Sequence, residues 1–404
     1  MTRTGPLSLI TFSSHMRQRF IHPVAFGQLP TDADLEVVRT VLSRPDRVLL
    51  PFAEGEPTPA GVDLDAGLGP GEDDEADPTV LAIATSGSTG GRKIVLLPEQ
   101  ALRASAAATE RRMGGPGQWL LCLSLAHIAG IQVVLRSHLA GETPVCCQAG
   151  GPDFTAHFTA ATDSLTAARR YVSLVPTQLR WLLDEAPRVA ASFDAILLGG
   201  AAAEPILLDR ADAAGCTIIT TYGMSETAGG CVYDGTALDG VRIATDPVTG
   251  EISLTGAVVA RGYLGADLFV DQTFRTQDAG EMIGGKLIVH GRLDDIINTG
   301  GEKVAPAIVE AALRSLDPIG DVVVLGVPDP LWGQRIVALV VSDRALDLAQ
   351  LQNQVSSLLP RAAVPRRIFQ VAQIPRFGIG KVNRSAVTML AQQLIDSALA
   401  SEQN

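Results

Sequence analysis

Short apolar runs alternate with amphipathic stretches from residue 80 to about residue 250. We predict strands from the apolar runs at residues 80–84, 119–124, 171–175, 195–198 and 217–221. The spacing of apolar positions predicts helices between these strands at residues 164–170 and 177–184. Because alternating strands and helices build a parallel sheet covered on both faces, we predict a large α/β domain here.

The pattern changes after residue 250. Strands at residues 251–255 and 286–290 follow each other with little helix between them. A helix that begins near Pro306, at an early helical position that suits proline, opens a compact α+β unit. This unit continues with two strands and two helices, at residues 322–327, 336–341, 348–359 and 386–398.

An acidic segment rich in Gly and Pro precedes the first predicted strand. We interpret residues 53–78 as an exposed loop, with residues 71–75 as its solvated tip. At 404 residues the chain exceeds one ordinary domain, so two are expected, and an apolar fraction of 46% is ample for their cores. The formal net charge of −12 argues against nucleic acid or an anionic membrane surface as the main partner.

The five cysteines include no C-x-x-C pair, and three lie in or beside apolar runs. This usage is typical of reduced, buried thiols rather than of disulfides or a zinc site. The N-terminal stretch lacks the pattern of a signal peptide, and no run approaches the roughly 18 apolar residues of a membrane span. We therefore expect a cytoplasmic protein without a membrane span.

A loop rich in glycine and hydroxyl residues follows the strand at residues 80–84. Its sequence, TSGSTGGRK, occupies residues 85–93. Glycines let backbone N–H groups turn toward an anion, and the hydroxyls and Lys93 add donors and charge. The pattern favours a polyphosphate site, although it lacks the Gly-Lys-Ser/Thr ending of the Walker A loop. A flexible connection is the alternative interpretation.

Four further motifs favour the polyphosphate interpretation. They are YGMSET, TQD, GRLDD and PRFGIGK, at residues 222–227, 276–278, 291–295 and 375–381. In this order, with the loop first, they resemble the motifs of the acyl-adenylate-forming enzymes, which include acyl-CoA synthetases, luciferases and the adenylation domains of peptide synthetases. Three other segments resemble the o-succinylbenzoate–CoA ligases of menaquinone biosynthesis, at residues 170–179, 196–202 and 231–235.

The resemblance implies an N-terminal ATP- and acid-binding domain at residues 1–293 and a small mobile C-terminal domain at residues 294–404, with Asp294 as the hinge. Because the loop begins as early as residue 85, we expect a reduced N-terminal subdomain. The implied reaction uses ATP and Mg²⁺ to make an acyl-AMP from a small acid, and then transfers the acyl group to coenzyme A. Two alternatives stay open: an aryl-acid adenylating enzyme that loads a carrier protein, and a non-catalytic adenylate-binding protein. The sequence does not settle whether a homo-oligomer forms.

The resemblance also implies roles for individual residues. The phosphates of ATP are expected at Thr85, Ser86, Gly87, Ser88, Thr89, Gly90 and Lys93. Adenine and ribose are expected at Gly199, Gly200, Ala201, Tyr222, Gly223, Asp278 and Arg292. The implied catalytic residues are Lys381, His127 and Ser225, and the implied magnesium ligand is Glu226.

The remaining implied roles concern the acid and coenzyme A. The acid is expected near Arg136, Ser173, Thr177, Gly223 and Met224. Arg136 lies in an apolar helical stretch, where a cation needs an anionic partner such as a second substrate carboxylate; pairing with a protein carboxylate is the alternative. Coenzyme A is expected near Gly300, Gly301 and Trp332, although a packed tryptophan is an equal interpretation of the last.

Overall fold

The computed structural model describes residues 19–43, 46–59, 62–63, 66–85, 93–266, 268–316, 318–377 and 381–402, with residues 377, 381 and 399–402 described by their backbone alone. Up to residue 233 the elements are β1 (Phe20–Phe26), α1 (Asp32–Thr40), β2 (Arg47–Ala53), β3 (Thr79–Thr85), β4 (Lys93–Pro98), α2 (Glu99–Arg112), β5 (Gln118–Leu121), α3 (Ile128–Leu139), β6 (Val145–Cys146), α4 (Phe154–Asp163), β7 (Arg170–Leu174), α5 (Pro176–Glu185), α6 (Pro187–Ala190), β8 (Ala195–Leu198), α7 (Pro205–Ala213), β9 (Ile218–Met224) and β10 (Gly229–Tyr233).

The second half of the chain contains more strand than helix. Its elements are β11 (Thr236–Ala237), β12 (Arg242–Thr245), β13 (Glu251–Thr255), β14 (Gly262–Tyr263), β15 (Thr273–Ile283), β16 (Lys286–Arg292), β17 (Ile297–Thr299), β18 (Glu302–Val304), α8 (Pro306–Arg314), β19 (Asp321–Asp329), β20 (Gly333–Val341), α9 (Leu348–Leu358), β21 (Arg367–Gln370), β22 (Arg376–Phe377), β23 (Lys381–Val382) and α10 (Arg384–Glu402).

Two sheets enclose a shared layer of helices in the N-terminal region. The first has the strand order β1-β2-β3-β4-β14, and the second has the order β11-β10-β9-β8-β7-β5-β6. Strands β5 to β9 of the second sheet are parallel to one another, as the strand–helix alternation predicts. Helices α2 and α3 share one hydrophobic core with both sheets, in which Leu102 and Ile131 pack with Val95 and Leu197.

Two further sheets follow along the chain. The antiparallel order β12-β13-β15-β16 ends at residue 292, and the next sheet, β18-β17-β20-β19 with β21 beside β20, begins at residue 297. Separate buried clusters cover the two faces of this last sheet, one with α8 and α9 and the other with α10. The change of sheet falls at residues 293–296, although a domain boundary at Asp294 stays a prediction.

The structure corrects two local predictions. Residues 164–170 are not a helix; the helix is α4, in which Phe154 and Phe158 are buried one turn apart, and β7 begins at Arg170. Residues 71–75 are not a solvated tip, because Glu72 is buried and its carboxylate accepts hydrogen bonds from the Gly69 and Gly265 N–H groups, each at 2.6 Å.

Candidate active site

Several of the predicted site residues lie at one edge of the seven-stranded sheet. The parallel strands β5, β7, β8 and β9 all end at this edge. His127 and Thr177 follow β5 and β7, Gly199 follows β8, and Glu226 follows β9. Ligands of open α/β sheets bind outside the carboxyl ends of the strands. This edge is therefore the candidate active site.

The antiparallel strands β3 and β4 flank the predicted phosphate loop. Thr85 and Lys93 pair across them, and the Thr85 hydroxyl donates to the Lys93 carbonyl oxygen at 3.2 Å. The loop residues between them, Ser86, Gly87, Ser88, Thr89 and Gly90, lie outside the described residues. The structure thus places the two ends of the predicted phosphate site.

Tyr263, which the sequence analysis did not single out, contacts both Lys93 and Glu226. The Lys93 ammonium nitrogen lies 4.8 Å from the centre of the Tyr263 ring. The Tyr263 hydroxyl donates to Oε1 of the buried Glu226 at 2.8 Å. Tyrosine is rare in this chain, which contains four, and Tyr263 follows Arg261 and Gly262 in a segment bounded by glycines. This was the signal in the sequence that could have pointed to Tyr263.

The backbone around Glu226 forms a short 3₁₀ turn. The turn, Ser225–Thr227, joins the antiparallel strands β9 and β10. Ala228 follows it with a φ of 50°. The buried side chains of Ser105 and Gln132 donate to the Ala228 carbonyl oxygen at 3.0 and 2.8 Å. These bonds help to offset the strained backbone at the end of the turn that carries Glu226.

Tyr222, Asp278 and Arg292 come together beside β9. The Tyr222 hydroxyl donates to Asp278 Oδ2 at 2.7 Å. Asp278 and Arg292 face each other across β15 and β16, with Arg292 Nη1 4.0 Å from Asp278 Oδ1. Burial raises the pKa of Asp278, while the Tyr222 hydrogen bond and the charge of Arg292 oppose that rise. The structure thus brings together the three side chains that we predicted for the nucleoside.

Small residues border the nucleoside cluster. Gly199, Gly200 and Ala201 continue from β8, and the last two are exposed. At Gly223, a Cβ atom would stand 2.2 Å from the Gly229 carbonyl oxygen. The close pairing of β9 with β10 therefore requires glycine next to Tyr222.

The other predicted catalytic and acid-contacting residues at this edge differ in exposure. His127 is exposed at the N-cap of α3, and Ser225 and Met224 are half-buried beside Glu226. Ser173 is buried near the end of β7, and Thr177 is half-buried in the first turn of α5. Their roles stay predictions.

Arg136 lies at the opposite edge of the sheet. It belongs to the last turn of α3, and its guanidinium lies 5.3 Å from the ring centre of Trp119, near the start of β5. Nine helical positions, or about 13 Å, separate it from His127. Arg136 is buried, and the hydroxyl of Tyr233 lies near its guanidinium. Arg136 therefore lies inside the core in this structure, and its contact with a substrate carboxylate stays a prediction.

The predicted residues of the C-terminal region lie on short strands and turns. Gly300 and Gly301 form the turn between β17 and β18, with φ angles of 61° and 88° that suit glycine in a two-residue hairpin. The Gly300 N–H donates to the Trp332 carbonyl oxygen at 2.9 Å, so two of the predicted coenzyme A residues are neighbours. Asp294 is exposed and pairs with Arg292 at 2.8 Å. Lys381 is the first residue of β23, which pairs with β22.

The charge pattern fits a magnesium ion that arrives with a nucleotide. Among the described residues, no group of three or more His, Cys, Asp or Glu side chains could hold a metal. Mg²⁺ bound with phosphates uses one or two protein carboxylates and keeps several waters. Glu226 fits this need, because Tyr263 occupies one of its oxygens and leaves the other as a ligand.

Two further properties complete the description. The described helices include none with the length and apolar character of a bilayer span. All five cysteines are free, and four of them are buried.

Comparison with known proteins identifies the family. The sequence pattern of the AMP-binding enzymes matches residues 27–264, and that of the AMP-binding enzyme C-terminal domain matches residues 308–381. The chain therefore belongs to the family of AMP-binding enzymes, and the α/β fold that we predicted with a smaller C-terminal unit is confirmed.

Individual relatives confirm the closer resemblance to the o-succinylbenzoate–CoA ligases. The probable 2-succinylbenzoate–CoA ligase of Mycobacterium tuberculosis is 43% identical over 323 residues, which are 77% of this chain and 84% of that protein. The structure of the o-succinylbenzoate CoA synthetase of Bacillus subtilis, in complex with the acyl-adenylate intermediate OSB-AMP, has a TM-score of 0.69 and 28% identity, covering 76% of this chain and 69% of that chain. The same enzyme in complex with ATP and magnesium ion has a TM-score of 0.76 at 22% identity, covers 90% of this chain and 89% of that chain, and supports the fold alone.

Proposed function

We propose that this chain is an ATP- and Mg²⁺-dependent 2-succinylbenzoate–CoA ligase. The single observation that carries the proposal is the arrangement around β9. Tyr222, the partner of Asp278, and Glu226, the partner of Tyr263, stand four positions apart at the same sheet edge. One strand end thus contributes to two clusters. The nucleoside cluster consists of Tyr222, Asp278 and Arg292, and the phosphate cluster consists of Lys93, Glu226 and Tyr263. The similarity to 2-succinylbenzoate–CoA ligases indicates which acid is activated and that coenzyme A is the acceptor.

The first half-reaction joins the acid to the α-phosphate of ATP. A carboxylate oxygen of the acid attacks the α-phosphorus, and the bond to the β-phosphate oxygen breaks to release pyrophosphate. Asp278 accepts hydrogen bonds from the ribose hydroxyls, because a carboxylate is an acceptor for two neutral donors. Lys93 and the N–H groups of the glycine loop bind the β- and γ-phosphates. Negative charge that shifts onto pyrophosphate is stabilised by such fixed donors.

Glu226 is the residue that would hold the magnesium ion in this reaction. Its Oε1 accepts from Tyr263, and its other oxygen is left for the metal. When bound with ATP, Mg²⁺ neutralises charge on the phosphates and so eases the approach of the acid carboxylate.

The second half-reaction transfers the acyl group to coenzyme A. The thiol sulfur attacks the acyl carbon, its proton leaves, and the bond to AMP breaks. We assign Lys381 to the first half-reaction, as a cation between the acid carboxylate and the α-phosphate, and Gly300, Gly301 and Trp332 to the second. Rotation about Asp294 exchanges these two sets at the site, which is a conformational step of the kind common in such cycles.

Pyrophosphate release tests the proposal. We expect release with 2-succinylbenzoate to exceed release with benzoate, which lacks the second carboxylate, and a thioester to form when coenzyme A is added. Mass spectrometry of the thioester identifies the acceptor. Acyl-AMP that accumulates with coenzyme A, and that is consumed only by a carrier protein, would contradict the proposed acceptor.

Lys381→Ala tests the division of labour between half-reactions. Because a mobile cation acts in one geometry only, we expect adenylation to fall by about 10²–10³-fold. Transfer from supplied acyl-AMP to coenzyme A should change little. Equal loss in both half-reactions would show that Lys381 has no step-specific role.

A further inference from the structure

Tyr263 is fixed from several sides between the strand of Lys93 and the turn of Glu226. Strand β14 adds to β4 so that Tyr263 pairs with Val95, two residues beyond Lys93. The ring of Phe269 packs edge-on against it, with the ring centres 5.3 Å apart. Three residues earlier, the Ala260 N–H donates to the Glu226 carbonyl oxygen at 2.8 Å. The tyrosine therefore has little freedom to turn away from either charged residue.

The two charged residues contact different parts of this side chain. The ammonium of Lys93 faces the ring, 4.8 Å from its centre, and the carboxylate of Glu226 accepts from the hydroxyl at 2.8 Å. A cation above an aromatic ring is attracted by the ring's quadrupole without losing its charge. A direct ion pair between Lys93 and Glu226 would instead cancel the charges that a phosphate and a metal require.

The hydroxyl of Tyr263 remains a donor throughout the neutral range. A tyrosine hydroxyl, with an ordinary pKa of about 10, is protonated at neutral pH. The protonated hydroxyl has one hydrogen to donate, and Glu226 Oε1 receives it. The orientation of the carboxylate is thereby set before any metal binds.

We propose that Tyr263 is a positioning residue that aims Glu226 at the metal and keeps Lys93 available for phosphate. Its hydroxyl holds one oxygen of Glu226 and directs the other outward, while its ring supports the lysine ammonium. This inference rests on the proposed function, because it assumes that ATP binds with magnesium at this edge. Groups that orient metal ligands typically contribute about 10–100-fold to metal affinity or activity.

The hydroxyl and the ring can be tested separately. Tyr263→Phe removes the hydroxyl and keeps the ring, whereas Tyr263→Leu removes both. Tyr222→Phe is a matched control, because it deletes the equivalent hydroxyl bond to Asp278 in the nucleoside cluster. Calorimetry measures ATP affinity for each protein twice, with excess Mg²⁺ and with EDTA. The ratio of the two affinities is the gain that magnesium confers, and thermal melts confirm that each variant is folded.

Each variant has a distinct expected result. Tyr263→Phe should bind ATP with wild-type affinity in EDTA. The ratio of its ATP affinity with Mg²⁺ to that with EDTA should be about tenfold smaller than the ratio in the wild type. Tyr263→Leu should also bind ATP more weakly in EDTA, because Lys93 loses its support. Tyr222→Phe should weaken ATP binding equally in both conditions and leave the gain unchanged.

Two outcomes would overturn the inference in different ways. A gain in Tyr263→Phe equal to that of the wild type, in a protein that binds Mg²⁺ and ATP, would remove the positioning role and leave the proposed function intact. A wild-type protein that binds no ATP in either condition would overturn the proposed function and this inference together.

Discussion

Two tyrosine–carboxylate pairs stand at the same sheet edge and differ in where the nearby cation lies. Tyr222 donates to Asp278 at 2.7 Å, and Tyr263 donates to Glu226 at 2.8 Å. Beside the first pair, Arg292 faces the carboxylate itself, 4.0 Å from Asp278 Oδ1. Beside the second pair, Lys93 faces the tyrosine ring.

This difference matches the ligands that we propose for each pair. In the nucleoside cluster, Arg292 faces Asp278 and also pairs with Asp294, so its charge is engaged by protein carboxylates, and the cluster offers hydrogen-bond acceptors that suit hydroxyl groups. In the phosphate cluster, the ammonium and the carboxylate are held apart by the ring and keep their charges for phosphate and metal. A hydrogen bond from a tyrosine hydroxyl to a carboxylate can therefore belong to a site for a neutral ligand or to a site for a charged one. The difference depends on whether the nearby cation faces the carboxylate or the tyrosine ring.

Glu226→Gln should have the largest effect on this comparison. The substitution keeps the size of the side chain and an acceptor for Tyr263, but removes the charge that a metal requires. We expect pyrophosphate release to fall by about 10²–10³-fold. A stopped-flow or coupled pyrophosphate assay over a range of Mg²⁺ concentrations measures this.

The same assay contains its control. If the charge of Glu226 serves the metal, the KM for ATP at saturating Mg²⁺ should change much less than the Mg²⁺ concentration needed for half-maximal rate. Wild-type kinetics at limiting Mg²⁺ would show that the phosphate cluster does not use this carboxylate.

Asp278→Asn should separate the nucleoside cluster from the phosphate cluster. The amide offers one acceptor and no charge to the ribose hydroxyls. Because a hydrogen bond to a charged group contributes about 1.5–3 kcal/mol, the KM for ATP should rise by roughly 10–100-fold. The Mg²⁺ requirement should stay unchanged, and a parallel rise in both quantities would contradict the division into two clusters.

The nucleoside cluster could be predicted because its residues belong to contiguous motifs. Tyr222 and Glu226 share one strand end, and Asp278 and Arg292 share one hairpin. Such short-range arrangements follow from strand and turn patterns that a sequence displays. The helices α5, α8 and α9 were predictable for the same reason, since two of them begin at a proline in the first turn.

Contacts between distant segments were not predictable from local patterns. Tyr263 reaches Glu226, 37 residues away in the chain, because β14 adds to the first sheet beside β4. Glu72 looked like part of a solvated acidic run, yet it accepts from Gly265, 193 residues away. Arg136 was placed correctly on a helix, but the end of the sheet that it faces depends on the antiparallel course of α3 along β5.

Arg136→Met should show that the site ends at the sheet edge. In this structure the guanidinium is buried over Trp119, and burial lowers the pKa of Arg136. Replacing a buried charge with an apolar side chain removes its desolvation cost, and the replacement of whole buried ion pairs is often neutral or stabilising by about 1–4 kcal/mol. We expect an unchanged or higher melting temperature and an unchanged KM for 2-succinylbenzoate. A KM that rises by orders of magnitude in a folded variant would restore Arg136 as the group that binds the second carboxylate.

The pH dependence of stability should give the smallest effect, and it concerns Asp278 alone. Burial raises the pKa of Asp278 in the folded protein, so the native state holds this proton more tightly than the unfolded chain does. The resulting stabilisation is complete below the unfolded pKa, about 3.9, and is lost as pH rises through the folded pKa. Asp278→Asn has no such proton, so its melting temperature relative to the wild type should increase from about pH 4 to pH 7. Thermal melts of both proteins without nucleotide measure this difference. A constant offset across that range would mean that Tyr222 and Arg292 fully balance the cost of burying the carboxylate, and the contrast between the two clusters would then rest on their cations alone.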